Sequence, residues 1–161
     1  MKKPTFYRGE TYDIDESVGR MTQILAGLLT RRIDQEMQVH DLNAQQWKPL
    51  LMLRTGKADT AAEMARLNCS DNGAMTRMLD RLEAKGLVKR VRSAEDRRIV
   101  HLALTKDGER VADQIPYGLS KVLNEHLEGF SKDEFNQLKS LLRRMIANGE
   151  RVAAQGEGDA E

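Results

Sequence analysis

Residues 69–105 constrain the fold of this chain more than any other stretch, because an amphipathic helix, a glycine stop and two alternating runs around a charged turn follow one another without a gap. Ser70 or Asp71 can cap the helix with a side-chain oxygen that accepts a first-turn N–H. Met75, Met78, Leu79 and Leu82 fall at the three- and four-residue spacing of one buried stripe, which leaves Asn72, Thr76, Arg77, Asp80 and Arg81 for other faces. Gly86 suits a left-handed cap. Beyond it, residues 87–92 and 99–104 alternate with a period of two, as strands with one covered face do, and residues 93–98 form the tip between them.

The flanks read as helices. Asp13, with Glu16 three residues on, opens a first helix whose stripe of Ile14, Val18, Met21, Leu25 and Leu28 continues through Ile33 and Met37 to about His40. Leu42-Asn43 interrupts it. Asn43 then caps a second helix carrying Trp47, Leu50, Leu51 and Leu53, and Pro49 in its second turn predicts a bend. Thr60 to Glu63 has the form of a capping box and opens a short third helix. Helix, turn, helix and two-stranded hairpin make a winged helix-turn-helix within a mainly α chain. Thr105 next caps a helix through Val111, Ile115, Leu119, Val122 and Leu127, kinked at Pro116, and Ser131 with Glu134 opens a last one through Leu138, Leu142, Met145 and Val152. Residues 43–105 are thus the expected reading domain. Residues 12–40 and 106–152 form an all-helical dimerisation region, and 1–11 and 153–161 are flexible termini.

Charge is concentrated rather than abundant. The whole chain has a formal net charge of +1, yet residues 85–98 hold six Lys or Arg against Glu95 and Asp96, a local net of +4. A local basic surface governs affinity for phosphates whatever the whole-chain charge, and Ser70, Asn72 and Thr76 are small enough to reach base edges in a major groove. The expected partner is therefore double-stranded DNA. About 15 apolar side chains on the terminal helices would each forgo roughly 1.5–3 kcal/mol if left wet. A second copy of the chain is expected to cover them, which sets two recognition helices about 34 Å apart opposite an inverted repeat.

Other classes find little support. The sequence has no run of about 18 apolar residues and residues 1–4 lack the apolar core of a secretory signal, so no membrane partner and a cytoplasmic location are expected. Cys69 is the single cysteine and excludes an internal disulfide framework. No Gly-x-Ser-x-Gly, Gly-rich Lys loop or His-Glu-x-x-His is present, and His40, His101 and His126 match no compact metal spacing. Neither an enzyme, a cofactor nor a metal is expected.

The run from Thr76 to Val88, TRMLDRLEAKGLV, followed by Asp96-Arg97-Arg98 and by Leu104-Thr105-x-x-Gly108, resembles the multiple-antibiotic-resistance regulator (MarR) family, and the helical plan extends the resemblance over residues 13–152. The resemblance implies a homodimeric transcription regulator, usually a repressor, that leaves DNA when a small aromatic acid or phenol enters a pocket between the dimer helices and the reading domain. It implies that Thr76 and Arg77 meet bases and phosphates, that Arg98 enters the minor groove, and that Asp96 orients the arginines of the wing; Arg81 and Arg97 beside them are expected among the DNA contacts as well. A narrow minor groove favours an inserted guanidinium. For the effector, Arg20 offers a cation, with His40 and Trp47 as ring partners. Cys69, just before the recognition helix, offers the redox switch that some relatives use, although a small buried hydrophobe is its other reading. A helical protein-interaction module without operator binding is the rival from a different class, and the basic hairpin argues against it.

Overall fold

The computed structural model describes residues 5–158 apart from 44, 69, 93, 94, 97 and 98, with side chains to 155. The expectations for Cys69, Arg97 and Arg98 therefore lie outside the described residues. The elements are α1 Val18–Met37, α2 Trp47–Arg54, α3 Ala61–Leu67, α4 Asn72–Ala84, β1 Val88–Arg92, β2 Val100–Leu104, α5 Lys106–His126 and α6 Lys132–Gly158, with 3-10 turns at Gly9–Thr11 and Gln38–His40. Mainly helical, with one two-stranded antiparallel sheet, this is the winged helix-turn-helix order. Among the described residues no helix is long and apolar enough to cross a membrane. The chain divides into Met1–Val122 and Leu123–Glu161. The division falls within α5, whose Ala112 and Ile115 are fully buried in the same core as Leu50, Met64, Met75, Leu79 and Leu82.

In the first unit, local chemistry moves two expected helix starts. Ser17, not Asp13, caps α1: its Oγ accepts from Arg20 N at 3.1 Å and donates to Ile14 O at 2.8 Å. Asp13 instead closes a turn, its carboxylate accepting from Asp15 N two residues on. Likewise Asn43 Oδ1 accepts from both Gln45 N and Gln46 N at 3.1 Å, so α2 begins only at Trp47. Pro49 then lies in the first turn, where a backbone N–H has no intrahelical acceptor to lose, and the expected bend has no cause. The capping box at α3 forms as its spacing predicts, with Glu63 N donating to Thr60 Oγ1 at 3.3 Å and Glu63 Oε2 accepting from Asp59 N and Thr60 Oγ1. Those donors, the Asp59 amide first, hold the Glu63 carboxyl below its ordinary range.

The glycine and threonine positions around the wing form one corner. Gly86 takes φ +70, while Leu87 N donates to Leu82 O at 3.0 Å and Gly86 N to Glu83 O at 2.9 Å, the two bonds of a Schellman stop. Thr105 Oγ1 donates to Gly86 O at 2.6 Å and accepts from Gly108 N at 3.0 Å, and Thr105 N donates to Leu87 O at 3.1 Å. A Cβ on buried Gly108 would stand 1.9 Å from Leu87 O. The sheet pairs Val88 with Leu104 and Arg92 with Val100, burying Val88 and Leu102. Leu102 N also donates to Asp59 O at 2.7 Å, which fastens the loop before α3 to the outer edge of the sheet.

In the second unit, Gly129 at φ +84 precedes the capping box of α6, where Glu134 Oε2 accepts from Ser131 N at 2.8 Å and Ser131 Oγ at 2.7 Å. Helix α6 passes the expected end at Val152 and runs to Gly158, consistent with the helix-favouring Ala153, Ala154 and Gln155. Its Leu141, Leu142, Met145 and Ile146 are exposed.

Candidate nucleic-acid interface

Helix α4 is presented from its first turn. Asp71 is the cap, its Oδ1 accepting from Ala74 N at 2.7 Å. Ser70 is placed differently from expectation: its N–H donates to Ala65 O at 3.0 Å, which draws the residue in against α3, and its Oγ is buried with no hydrogen-bond partner among the described residues. It does not offer a hydroxyl to a groove in this conformation. Asn72, Thr76, Asp80 and Glu83 follow at helical spacing along one face, the first three exposed. Thr76 Oγ1 donates to Asn72 O at 2.8 Å, which fixes its rotamer. Arg77 and Arg81 are exposed on a neighbouring face.

The wing is tied to α4 by a pair of ion pairs distant in sequence. Asp80, which has Arg77 and Arg81 as near neighbours in sequence, accepts instead from Arg90 Nη2 of β1 at 2.6 Å while Glu83 accepts from Arg90 Nη1. The Asp80 bond, foremost among the causes, pushes the Arg90 pKa further up, so Arg90 is a permanent cation bridging two carboxylates. Nothing in the linear order marks this clamp; the pairing exists only because the Gly86 stop folds β1 back along α4. Lys85 is likewise engaged, donating to Asp41 Oδ2 at 2.8 Å and to the Asp41 carbonyl. Two of the six cations counted in residues 85–98 thus serve internal ion pairs, whereas Lys89 and Arg92 are exposed on β1. Asp96 is exposed at the tip.

The three residues expected to meet an effector are not gathered within one chain. Arg20 lies in the first turn of α1 and His40 beyond its far end, and a helix of 20 residues is about 30 Å long. Trp47 is half-buried, with Nε1 buried and unpartnered among the described residues, and lines a 240 Å³ cleft with Lys48, Leu51, Met52, Thr55 and Lys57. A larger cleft of 440 Å³ lies between α1, the turn before α2 and α4, lined by Thr30, Asp34, Gln45, Met78, Arg77 and Arg81 among others. The sequence reading missed it, and the only linear signal was the pair of guanidiniums four residues apart around Met78.

A capped, outward-facing helix locked to a two-stranded wing is the winged helix-turn-helix arrangement, which suits reading a DNA groove. A sequence profile of the MarR family matches residues 42–100. The chain is 30% identical over 130 residues to the multiple antibiotic resistance protein MarR of Escherichia coli strain K12, covering 80% of this chain and 90% of that protein. It is 27% identical over 122 residues to the homoprotocatechuate degradative operon repressor of Escherichia coli, covering 76% and 82%. The crystal structure of a cysteine-to-serine mutant of MarR from Escherichia coli complexed with operator DNA superposes with a TM-score of 0.74 at 29% identity, covering 80% of this chain and 93% of that one. The chain belongs to the MarR family of transcription regulators.

Proposed function

We propose that this chain is a cytoplasmic, homodimeric repressor that binds an inverted-repeat operator and is released by a small aromatic or phenolic ligand, with an aromatic carboxylate preferred. The observation that carries the reading is the unburied apolar surface: Val18, Met21, Leu25 and Leu28 on α1, and Leu141, Leu142, Met145 and Ile146 on α6, are each between 39% and 59% exposed. Four or more such side chains per helix are what a second copy would cover, and burying the half of each that is still exposed contributes about 1 kcal/mol. On DNA, Asn72 and Thr76 would face base edges from the major groove, Arg77 and Arg81 would meet bases or phosphates beside them, and the wing's Arg97 and Arg98, oriented by Asp96, would reach the minor groove. The operator complex of the related MarR supports the DNA partner.

The 440 Å³ cleft is the effector site in this reading, in place of Arg20, His40 and Trp47. Its volume suits a single aromatic ring, Met78 gives an apolar wall, and a carboxylate entering it would pair with Arg77 and Arg81. Arg77 cannot then serve a DNA phosphate, so ligand and operator compete for one guanidinium. The relative named for a homoprotocatechuate degradative operon supports an aromatic acid as the ligand class. The test is competition on the duplex that the protein selects from a random pool: benzoate lowers operator affinity of the wild type, and Arg81→Ala makes it insensitive. Equal benzoate sensitivity in both would place the effector elsewhere.

A further inference from the structure

We propose that Arg90 is the positioning residue of the DNA interface: by bridging Asp80 and Glu83 of α4 it fixes the angle of the wing to the recognition helix and keeps two carboxylates on the reading face from repelling DNA. The inference rests on the reading of α4 and the wing as the DNA-binding surface. Its basis is geometric. Asp80 and Glu83 continue the face that begins with Asn72 and Thr76, so the latter half of that face carries two negative charges. Arg90, on β1, reaches both of them, with 2.6 Å between Nη2 and Asp80 Oδ1. A planar guanidinium can hold two carboxylates through separate nitrogens in one fixed orientation; an ammonium on a flexible stem cannot. Apolar packing holds this strand only at its start, since β1 shows one buried residue, Val88, followed by four exposed ones.

Two consequences set Arg90 apart from the other basic residues of the wing. Its charge is already balanced inside the protein, so it releases no counterions when DNA binds. Removing a carboxylate beside it should weaken binding, the opposite of the usual effect of deleting a negative charge near DNA.

The test uses the full chain and the duplex that the wild type selects from a random-sequence pool, with affinity measured across a salt series and amide exchange followed in β1. Asp80→Asn and Arg90→Lys are each expected to weaken binding about fivefold, the upper range for a half-exposed ion-pair network. The slope of affinity against salt should stay within about 0.3 of wild type, and selectivity at the outermost base pairs, where the wing reaches, should relax. Amides of β1 should exchange faster while the melting temperature holds. Tighter binding by Asp80→Asn, or a slope reduced by about 0.9 in Arg90→Ala, overturns the proposal, the latter by marking Arg90 as a phosphate contact. Should Arg90→Ala fail to fold, the isosteric Asp80→Asn decides alone. If the wild type selects no duplex at all, the DNA-binding reading fails; β1 exchange then still tests the clamp, with unchanged rates in both variants refuting it.

Discussion

Gly108→Ala isolates the corner on which the wing is hung. The added Cβ would stand 1.9 Å from Leu87 O and 2.9 Å from Leu87 C, whereas ordinary contact begins at 3.4 Å, so helix and strand must separate by about 1.5 Å. Leu87 O is also the acceptor for Thr105 N at 3.1 Å, and that separation takes the bond out of range. Losing one buried backbone bond costs about 1 kcal/mol and overpacking a tight site about 1–3 kcal/mol, giving a total near 2–4 kcal/mol. With a urea dependence of about 2 kcal/mol per molar, the unfolding midpoint should fall by about 1–2 M at constant slope. A midpoint within about 0.3 M of wild type would refute the claim that the Leu104-Thr105-x-x-Gly108 motif is a steric requirement of this corner.

Three further outcomes follow from local chemistry. Asp71→Ala removes the cap of α4 and should destabilise the chain by about 1 kcal/mol in urea unfolding, while Ser70→Ala, whose hydroxyl has no partner among the described residues, should cost less. The carboxyls of Glu36, Glu63 and Glu134 are held below the ordinary 4.5, first by Lys121, by the Asp59 amide and by the Ser131 amide respectively. Their stabilising contribution is therefore complete above pH 4.5 and is lost as pH falls through the lowered values; urea midpoints at pH 7, 5 and 3 should show the loss only at the acid end, and less of it in Glu134→Gln. Arg98→Ala should weaken operator binding by about 1–3 kcal/mol at matched salt without changing the melting temperature, measured by fluorescence anisotropy.

What could be read from the sequence was what is local. The α4 stripe of Met75, Met78, Leu79 and Leu82, the Gly86 stop and the boxes at Thr60 and Ser131 each depend on residues within one or two turns, and the structure has them. Helix starts were legible only where a single capper was available. Asp13 and Ser17 both offer oxygens ahead of α1, and the choice went to Ser17, which is also buried and bonded to Ile14 O. Asn43 spent its carboxamide on a turn, which pushed α2 forward and made Pro49 harmless. Long-range charge pairing was not legible at all. Asp80 has Arg77 and Arg81 as near neighbours in sequence, yet it pairs with Arg90, because the hairpin returns along the helix and brings a guanidinium within reach. Lys85 at the end of α4 and Asp41 after the Gln38–His40 turn likewise meet across 44 positions. The basic count of residues 85–98 therefore overstated the charge available to a phosphate backbone.

The central claim is that two copies of this chain together engage one duplex. Sedimentation equilibrium of the protein with its selected duplex tests it directly. Two chains of 18.2 kDa per duplex, already paired before DNA is added, is the predicted result. A single 18.2 kDa species on the duplex, or no complex at low ionic strength, would contradict it.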